Sequence, residues 1–217
     1  MPILLLIRHA TNDFVKAGKL PGQLPNIHLN EEGRAQAEAL GEKLKAAKIA
    51  AVYSSSLERA LETAWRVAKH HGLPVQVTPR LMDTDAGAFA GRTIKDLNEG
   101  EDTRETWKHI VEKPLEARLP AGESLLEMRQ RVVAEVERVA AAHPDPISQN
   151  DQPAQPQTIA IVMHSDTVKA ALAHFLGTPF EHFQRMATSP ASISGVHVGQ
   201  NQANILFVNR LPYQDLP

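Results

Sequence analysis

Five consecutive apolar residues, Ile3-Leu4-Leu5-Leu6-Ile7, open the chain. A run without alternation predicts a strand buried on both faces, as in parallel sheets. A polar loop follows from Ala10 to about His28, punctuated by Pro21, Gly22 and Pro25. Asn30 then offers a helix cap, and Ala37, Leu40 and Leu44 recur at helical spacing. Ile49 to Tyr53 predicts a second strand, and Ser54-Ser55-Ser56 ends it as the cap of a helix striped by Ala60, Ala64, Val67 and Ala68. Val75 to Thr78 predicts a third, short strand. Leu81 to Gly100 predicts mostly loop, followed by a helical segment around Trp107 and a helix from Leu125 to Ala142 that starts with the capping box Ser124-x-x-Glu127. Thr158 to Met163 predicts another buried strand, and Asp166 caps the helix Val168 to Leu176, which Gly177 and Pro179 close. Ala191 to Val198 and Asn204 to Val208 alternate around Gly199-Gln200-Asn201-Gln202, a terminal hairpin.

Strands alternating with helices predict an α/β fold, a three-layer α/β/α sandwich with a mainly parallel central sheet. The 217 residues fit a single domain spanning 1–217, and the stretch 143–157, rich in Pro, Gln, Asn and Asp, predicts a flexible surface loop within it. Composition then removes whole classes of chemistry. Cysteine is absent, so disulfides, thiol catalysis and Cys-based zinc sites are excluded. A net charge of -2 argues against a nucleic-acid partner. The first apolar run is too short to span a membrane and lacks a basic leader, so a cytoplasmic protein without membrane contact is expected. Oligomeric state is not readable. The ten histidines, against two Trp and two Tyr, are the compositional oddity.

In open α/β sheets, ligands bind beyond the carboxyl ends of the strands. The first strand delivers Arg8-His9 there. The second delivers Ser54 to Ser56, with Arg59 one turn into the next helix. The late strand delivers His164 and Ser165. Two guanidiniums and two imidazoles form a cationic, donor-rich pocket whose natural guest is a phosphate dianion. A histidine among arginines is kept neutral by like-charge repulsion and can attack phosphorus. Asp83 and Asp85 are candidates for the acid that protonates the leaving oxygen. Taken singly, each of these residues has a plainer explanation: a structural histidine, a surface arginine, a serine cap, a turn aspartate. Their joint placement at strand ends carries the argument. His70, His71, His143 and His182 fall in polar or terminal stretches and read as solvated. His28, His109, His174 and His197 stay open, and Trp107 and Phe89 read first as core.

Several segments resemble, in order, the histidine phosphatase superfamily, also called phosphoglycerate mutase-like. They are Leu5-Leu-Ile-Arg-His9, Leu29-Asn-Glu-Glu-Gly-Arg34-Ala-Gln36-Ala, Ser55-Ser-Leu-Glu-Arg59-Ala-Leu-Glu-Thr63-Ala64, Leu81-Met-Asp83 ahead of Gly87 and Gly91, Pro120-Ala-Gly122-Glu123-Ser124 and Ile161-Val-Met-His164. The resemblance implies that His9 is the nucleophile that becomes phosphohistidine, and that Arg8, Arg59 and His164 hold the phosphoryl oxygens. It places Asp83 in the proton-donor position, with Asp85 as runner-up. Phosphate and substrate contacts are expected from Arg8, Arg59, His164, Thr11, Asn12 and Ser165. No metal and no organic cofactor are implied.

The departures from that pattern shape the functional expectation. Ala10 stands where the family has glycine, Thr11-Asn12 replaces an acidic-or-Gln then Thr pair, and Ser165-Asp166 follows His164 in place of glycines. Val15 stands where mutases carry an asparagine, and the loop Lys16 to His28 is long. These weaken a phosphoglycerate mutase, which must also shield phosphohistidine from water with basic residues and a closing tail. The expectation is therefore a phosphomonoester phosphatase acting on a small phosphorylated metabolite. A phosphoglycerate mutase, or a non-catalytic phospholigand-binding module, is the alternative. A zinc hydrolase has little behind it, because no His-x-x-x-His or similar spacing occurs.

Overall fold

The computed structural model describes residues 2–144, 155–199 and 202–212. Six strands form one sheet: β1 (Ile3–Arg8), β2 (Ile49–Ser54), β3 (Val75–Val77), β4 (Thr158–Met163), β5 (Ile193–Val198) and β6 (Ala203–Arg210). Their spatial order is β3-β2-β4-β1-β5-β6. The first four strands are mutually parallel, and β5 and β6 pair antiparallel as the terminal hairpin. The described helices are α1 (Asp13–Lys16), α2 (Glu31–Leu44), α3 (Glu58–Ala68), α4 (Ile94–Glu99), α5 (Arg104–Glu112), α6 (Leu125–Ala141) and α7 (Ser165–Leu176).

The unbroken apolar run of β1 has its explanation in the layers. Leu4 and Leu6 face a core shared with Met128, Val132 and Val136 of α6 and Val168 and Leu172 of α7. Leu5 and Ile7 face the opposite core, with Ala37 and Leu40 of α2 and Ala60, Ala64 and Val67 of α3. Because successive side chains point to opposite faces, a strand covered on both sides must be apolar at every position. The three-layer α/β/α sandwich with a mainly parallel sheet is therefore present.

Two helix starts follow the sequence signals closely. Asn30 accepts from the Gly33 N–H at 2.9 Å, and Ser124 and Glu127 form a reciprocal capping box. Two others do not. Helix α3 begins after Leu57, with no side-chain cap, and Ser55 turns inward instead. Helix α7 begins at Ser165, so Asp166 lies in its first turn and accepts from Gln184. The short α4 interrupts what the pattern predicts as loop; Thr93 caps it by accepting from the Asp96 N–H at 2.9 Å, a signal present in the sequence as Thr93-x-x-Asp96. The stretch predicted as a flexible loop lies mostly outside the described residues, at 145–154. Among the described residues, no helix is long and apolar enough to cross a membrane.

Helix α2 supports the loop that follows β1. Gln36 accepts from the Thr11 N–H at 2.9 Å, and the helix backbone approaches so closely at Gly33 that a Cβ there would lie 1.9 Å from the Thr11 carbonyl oxygen. Gly33→Ala must therefore push the helix and the loop apart. The expected result is a loss of roughly 1–3 kcal/mol, the usual range for overpacking, read by denaturant or thermal unfolding. An unchanged unfolding midpoint would contradict this account of the glycine.

Candidate active site

Strand β4 lies between β1 and β2, so the carboxyl ends of three strands meet at one edge of the sheet. The backbone joins them there. The His9 N–H donates to the Met163 carbonyl at 2.9 Å, and the Ser55 N–H donates to the Val162 carbonyl at 3.0 Å. This stitching sets the imidazoles of His9 and His164 with ring centroids 5.1 Å apart, inclined at 60°. The N-terminus of α7 opens at the same edge, and its positive end favours an anion.

Each side chain is fixed by a different neighbour. His9 Nδ1 donates to the Ala10 carbonyl at 2.7 Å, because a carbonyl oxygen only accepts. The proton therefore sits on Nδ1 and the in-plane lone pair on Nε2. His164 Nε2 is paired with the Ser55 hydroxyl at 2.9 Å, while its Nδ1 lies 3.7 Å from Asp83 Oδ2. Arg59 is fully buried; one Nη donates to the Gly22 carbonyl at 2.8 Å and to Asp83 Oδ2 at 3.1 Å. Arg8 donates to the Thr188 carbonyl at 2.7 Å. Several nitrogens remain unused: Arg8 Nε, Arg59 Nε and Nη1, and His164 Nδ1 are buried and have no hydrogen-bond partner among the described residues, the last being a donor when the Ser55 hydroxyl donates to Nε2. Buried donors of this kind are normally satisfied, each unmet one costing about 1–3 kcal/mol.

Burial sets the protonation states. His9 is held well below its ordinary pKa by burial first, and by the Arg59 and Arg8 guanidiniums second. His164 is lowered well below its ordinary value in the same way, by burial and then by Arg59 and His9. Repulsion between like charges, the cause expected from sequence, is thus real but subordinate. Asp83 is raised above the usual carboxylate range, because burial outweighs the nearby Arg59 guanidinium.

The two aspartates part company. Asp83 reaches Arg59 and His164, whereas Asp85 turns away and accepts from the Gly87 N–H at 3.1 Å. Arg131 and Gln23, neither singled out in the sequence, hold the Asp83 segment together with Glu123 of the Pro120-Ala-Gly122-Glu123-Ser124 segment. Arg131 of α6 donates to the carbonyls of Arg80, Met82 and Asp83 at 2.7–2.9 Å, and Gln23 adds a 2.9 Å bond to the same Asp83 carbonyl. Glu123 pairs with Arg131 and accepts from the Asp85 N–H at 2.8 Å. The sequence signal for Arg131 is faint: it is a cation three residues after the buried Met128 and one before the buried Val132, at the margin of an apolar stripe.

A cavity of about 550 Å³ opens from this cluster, with Arg8, His9, Asp83 and Ser165 on its polar side. Thr11 and Asn12 are buried but do not line it; the Thr11 N–H is held by Gln36, and Asn12 caps α1 by accepting from the Val15 N–H. Ala10 has no left-handed backbone, and its methyl group is buried in the α2–α3 core, so the missing glycine is absorbed by packing. Trp107 lines the cavity and Phe89 packs edge-on behind it, at 6.3 Å between centroids. The other histidines lie off the cavity lining: His28 pairs with Glu62, His174 with Glu137, and His143 with the Tyr53 hydroxyl. A possible metal-ligand trio, Glu38, Glu42 and His70, lies outside the cavity lining, and Lys69 already contacts Glu38.

Comparison with known proteins finds relatives over almost the whole chain. The family model described as "Histidine phosphatase superfamily (branch 1)" matches residues 4–211. "Phosphoserine phosphatase 1" of Hydrogenobacter thermophilus is 28% identical over 206 residues, covering 95% of this chain and 91% of its own. "Probable phosphoglycerate mutase GpmB" of Proteus mirabilis is 29% identical over 192 residues, covering 88% and 82%. Among solved structures, a mycobacterial glucosyl-3-phosphoglycerate phosphatase in complex with VO3 superimposes with a TM-score of 0.80 at 26% identity, covering 96% of this chain and 99% of its own.

Proposed function

The chain belongs to the histidine phosphatase superfamily, and on that premise we propose that it hydrolyses small phosphomonoesters through a phosphohistidine formed at His9. The observation that carries this reading is the set of buried, partnerless donors on Arg8, Arg59 and His164 around an imidazole whose Nε2 holds the lone pair. A phosphoryl group supplies the acceptors those donors lack.

The reaction follows from the placement of the groups. The Nε2 lone pair of His9 attacks phosphorus in line with the ester oxygen. The P–O bond breaks, its electron pair passes to the leaving oxygen, and Asp83 gives that oxygen its proton. Arg8, Arg59 and His164 take up charge on the equatorial oxygens. Asp83, now ionised, accepts a proton from water as the water oxygen attacks phosphorus, and the N–P bond returns its pair to Nε2. The net change is ester plus water to alcohol plus phosphate, with His9 and Asp83 restored.

The pKa directions set the pH response. A lowered His9 stays neutral, and so nucleophilic, at pH values below its ordinary titration range. A raised Asp83 stays protonated further up the scale, and a bound dianion adds to that effect. The active form, with His9 neutral and Asp83 protonated, is thus favoured on the acid side of neutrality, and kcat/KM falls as pH rises through the Asp83 titration. Asp83→Asn should remove that alkaline limb. It should also lower kcat/KM for alkyl phosphates roughly 10²–10⁴-fold while sparing kcat/KM for p-nitrophenyl phosphate, whose leaving group needs no proton in the phosphorylation step that this parameter reports. Equal losses for both esters would remove Asp83 from the acid role.

A panel of phosphomonoesters assayed for phosphate release in EDTA tests the function itself. Metal-independent release is expected. Isomerisation of phosphoglycerate that outruns phosphate release and is stimulated by 2,3-bisphosphoglycerate would establish the mutase instead. Phosphate binding with every ester unreacted would establish the non-catalytic module.

A further inference from the structure

We propose that the preferred substrate carries a bulky apolar group on its ester oxygen, an aromatic or branched hydrocarbon body, in place of a small charged one. This rests on the phosphatase reading above and names the class of ester that the same site selects. The cavity is far larger than a phosphoryl group requires, and beyond its polar side the wall is hydrocarbon: Leu20, Trp107, Ile110, Leu119, Leu125 and Phe183. Helix α5 presents Trp107, Ile110 and Val111 at i, i+3 and i+4, one continuous apolar face turned to the cavity. Val111 is 54% exposed and Ile94 of α4 is 45% exposed, and both line the cavity. Apolar side chains left in water beside a phosphate site gain by being covered, and the group attached to the phosphate is what reaches them.

The charged groups of the cavity do not favour a zwitterion. Lys169 is held by Gln184 at 2.7 Å and lies 3.7 Å from Asp166, whose carboxylate also accepts from Gln184 at 3.0 Å. Ser165 is paired with the Thr188 hydroxyl at 2.9 Å. An ammonium or carboxylate on the substrate would have to break these contacts, or leave its own charge against hydrocarbon. Lys19 is exposed and sits over the Phe14 ring at 5.6 Å; apart from Arg8 at the phosphate end, it is the lining lysine or arginine without an ion-pair partner among the described residues. A single solvated lysine discriminates weakly.

The test uses esters with chemically matched leaving groups, so that intrinsic reactivity is nearly constant: 2-phenylethyl phosphate, ethyl phosphate and phosphoserine, all esters of primary alcohols. The intact protein is expected to show kcat/KM for 2-phenylethyl phosphate at least about tenfold above each of the others. Ile94→Gln/Val111→Gln replaces two exposed side chains without changing charge. It should narrow the ratio of 2-phenylethyl to ethyl phosphate about fivefold or more, a ratio insensitive to the fraction of protein folded. Phosphoserine turned over as well as the phenylethyl ester, or a ratio unmoved by the double variant, overturns the proposal and leaves the phosphatase intact. If none of the esters turns over, the phosphatase reading fails separately. Calorimetry then decides the substrate class, with tighter binding of 2-phenylethyl than of ethyl phosphate supporting it and equal binding overturning it.

Discussion

The His9→Ala variant is expected to lose turnover by at least about 10⁴-fold and to form no phosphoenzyme. The magnitude follows from what the imidazole supplies. In the proposed mechanism its Nε2 replaces the ester oxygen on phosphorus, and the neighbouring groups are poor substitutes: Arg8 and Arg59 are cations, His164 Nε2 is engaged with Ser55, Ser165 with Thr188, and Asp83 is held against Arg59. Transfer straight to water would need a water held where the imidazole stood, with none of its alignment. The measurement is twofold. Steady-state phosphate release gives the rate, and intact mass after a rapid alkaline quench gives the phosphoenzyme, because an N–P bond survives base and not acid. Unfolding midpoints accompany both, since His9 is buried. Full metal-independent activity in His9→Ala would end the phosphohistidine mechanism.

The second large effect belongs to Arg59. Arg59→Ala should lower kcat/KM by about 10³-fold or more, since loss of one donor aimed at transition-state charge costs about 10²–10³ and this side chain offers two free nitrogens. Arg59→Lys should recover little of that. It restores a charge but not the planar fork that meets two phosphoryl oxygens at once. Burial makes the distinction sharp, because a fully buried ammonium has no water to supply the hydrogen bonds that the fork would have made. Competition by inorganic phosphate separates the contributions: its inhibition constant should rise in both variants. A lysine variant with near wild-type kcat/KM would show that charge alone is what the position provides.

The sequence made the skeleton of this site readable for a physical reason. Arg8, His9 and His164 abut hydrocarbon runs too long and too uniform to be anything but buried strands, and strand ends in a parallel sheet converge. Arg59 was readable from its place in the first turn of the helix after the second strand; the residues alone left Asp83 and Asp85 open, and the preference for Asp83 came from the resemblance to the family. What remained hidden depends on contacts between distant segments. Ser55 looks like a helix cap in one dimension, and only the adjacency of β2 and β4 makes it the partner of His164. Arg131 and Glu123 lie some fifty and forty residues beyond Asp83, and nothing local announces that they hold its segment. Asp166 looked like a cap because short-range rules see only the chain on either side of it. The depth of burial, which leads the shift of both histidines, is likewise a property of the layers rather than of any motif.

The contact between His9 Nδ1 and the Ala10 carbonyl has one more implication. In many sites the tautomer of a working imidazole is dictated by a carboxylate, so it shares the fate of that side chain: point mutation can erase it and acid can neutralise it. Here the dictating atom is main chain. No codon change deletes a peptide oxygen, and none protonates it near neutrality. Under the phosphohistidine proposal the chemical identity of the nucleophile is therefore insulated from drift elsewhere in the gene, while the hydrocarbon wall of the same cavity remains free to vary. A scaffold partitioned in that manner can acquire new esters by ordinary substitution without re-inventing its reactive nitrogen.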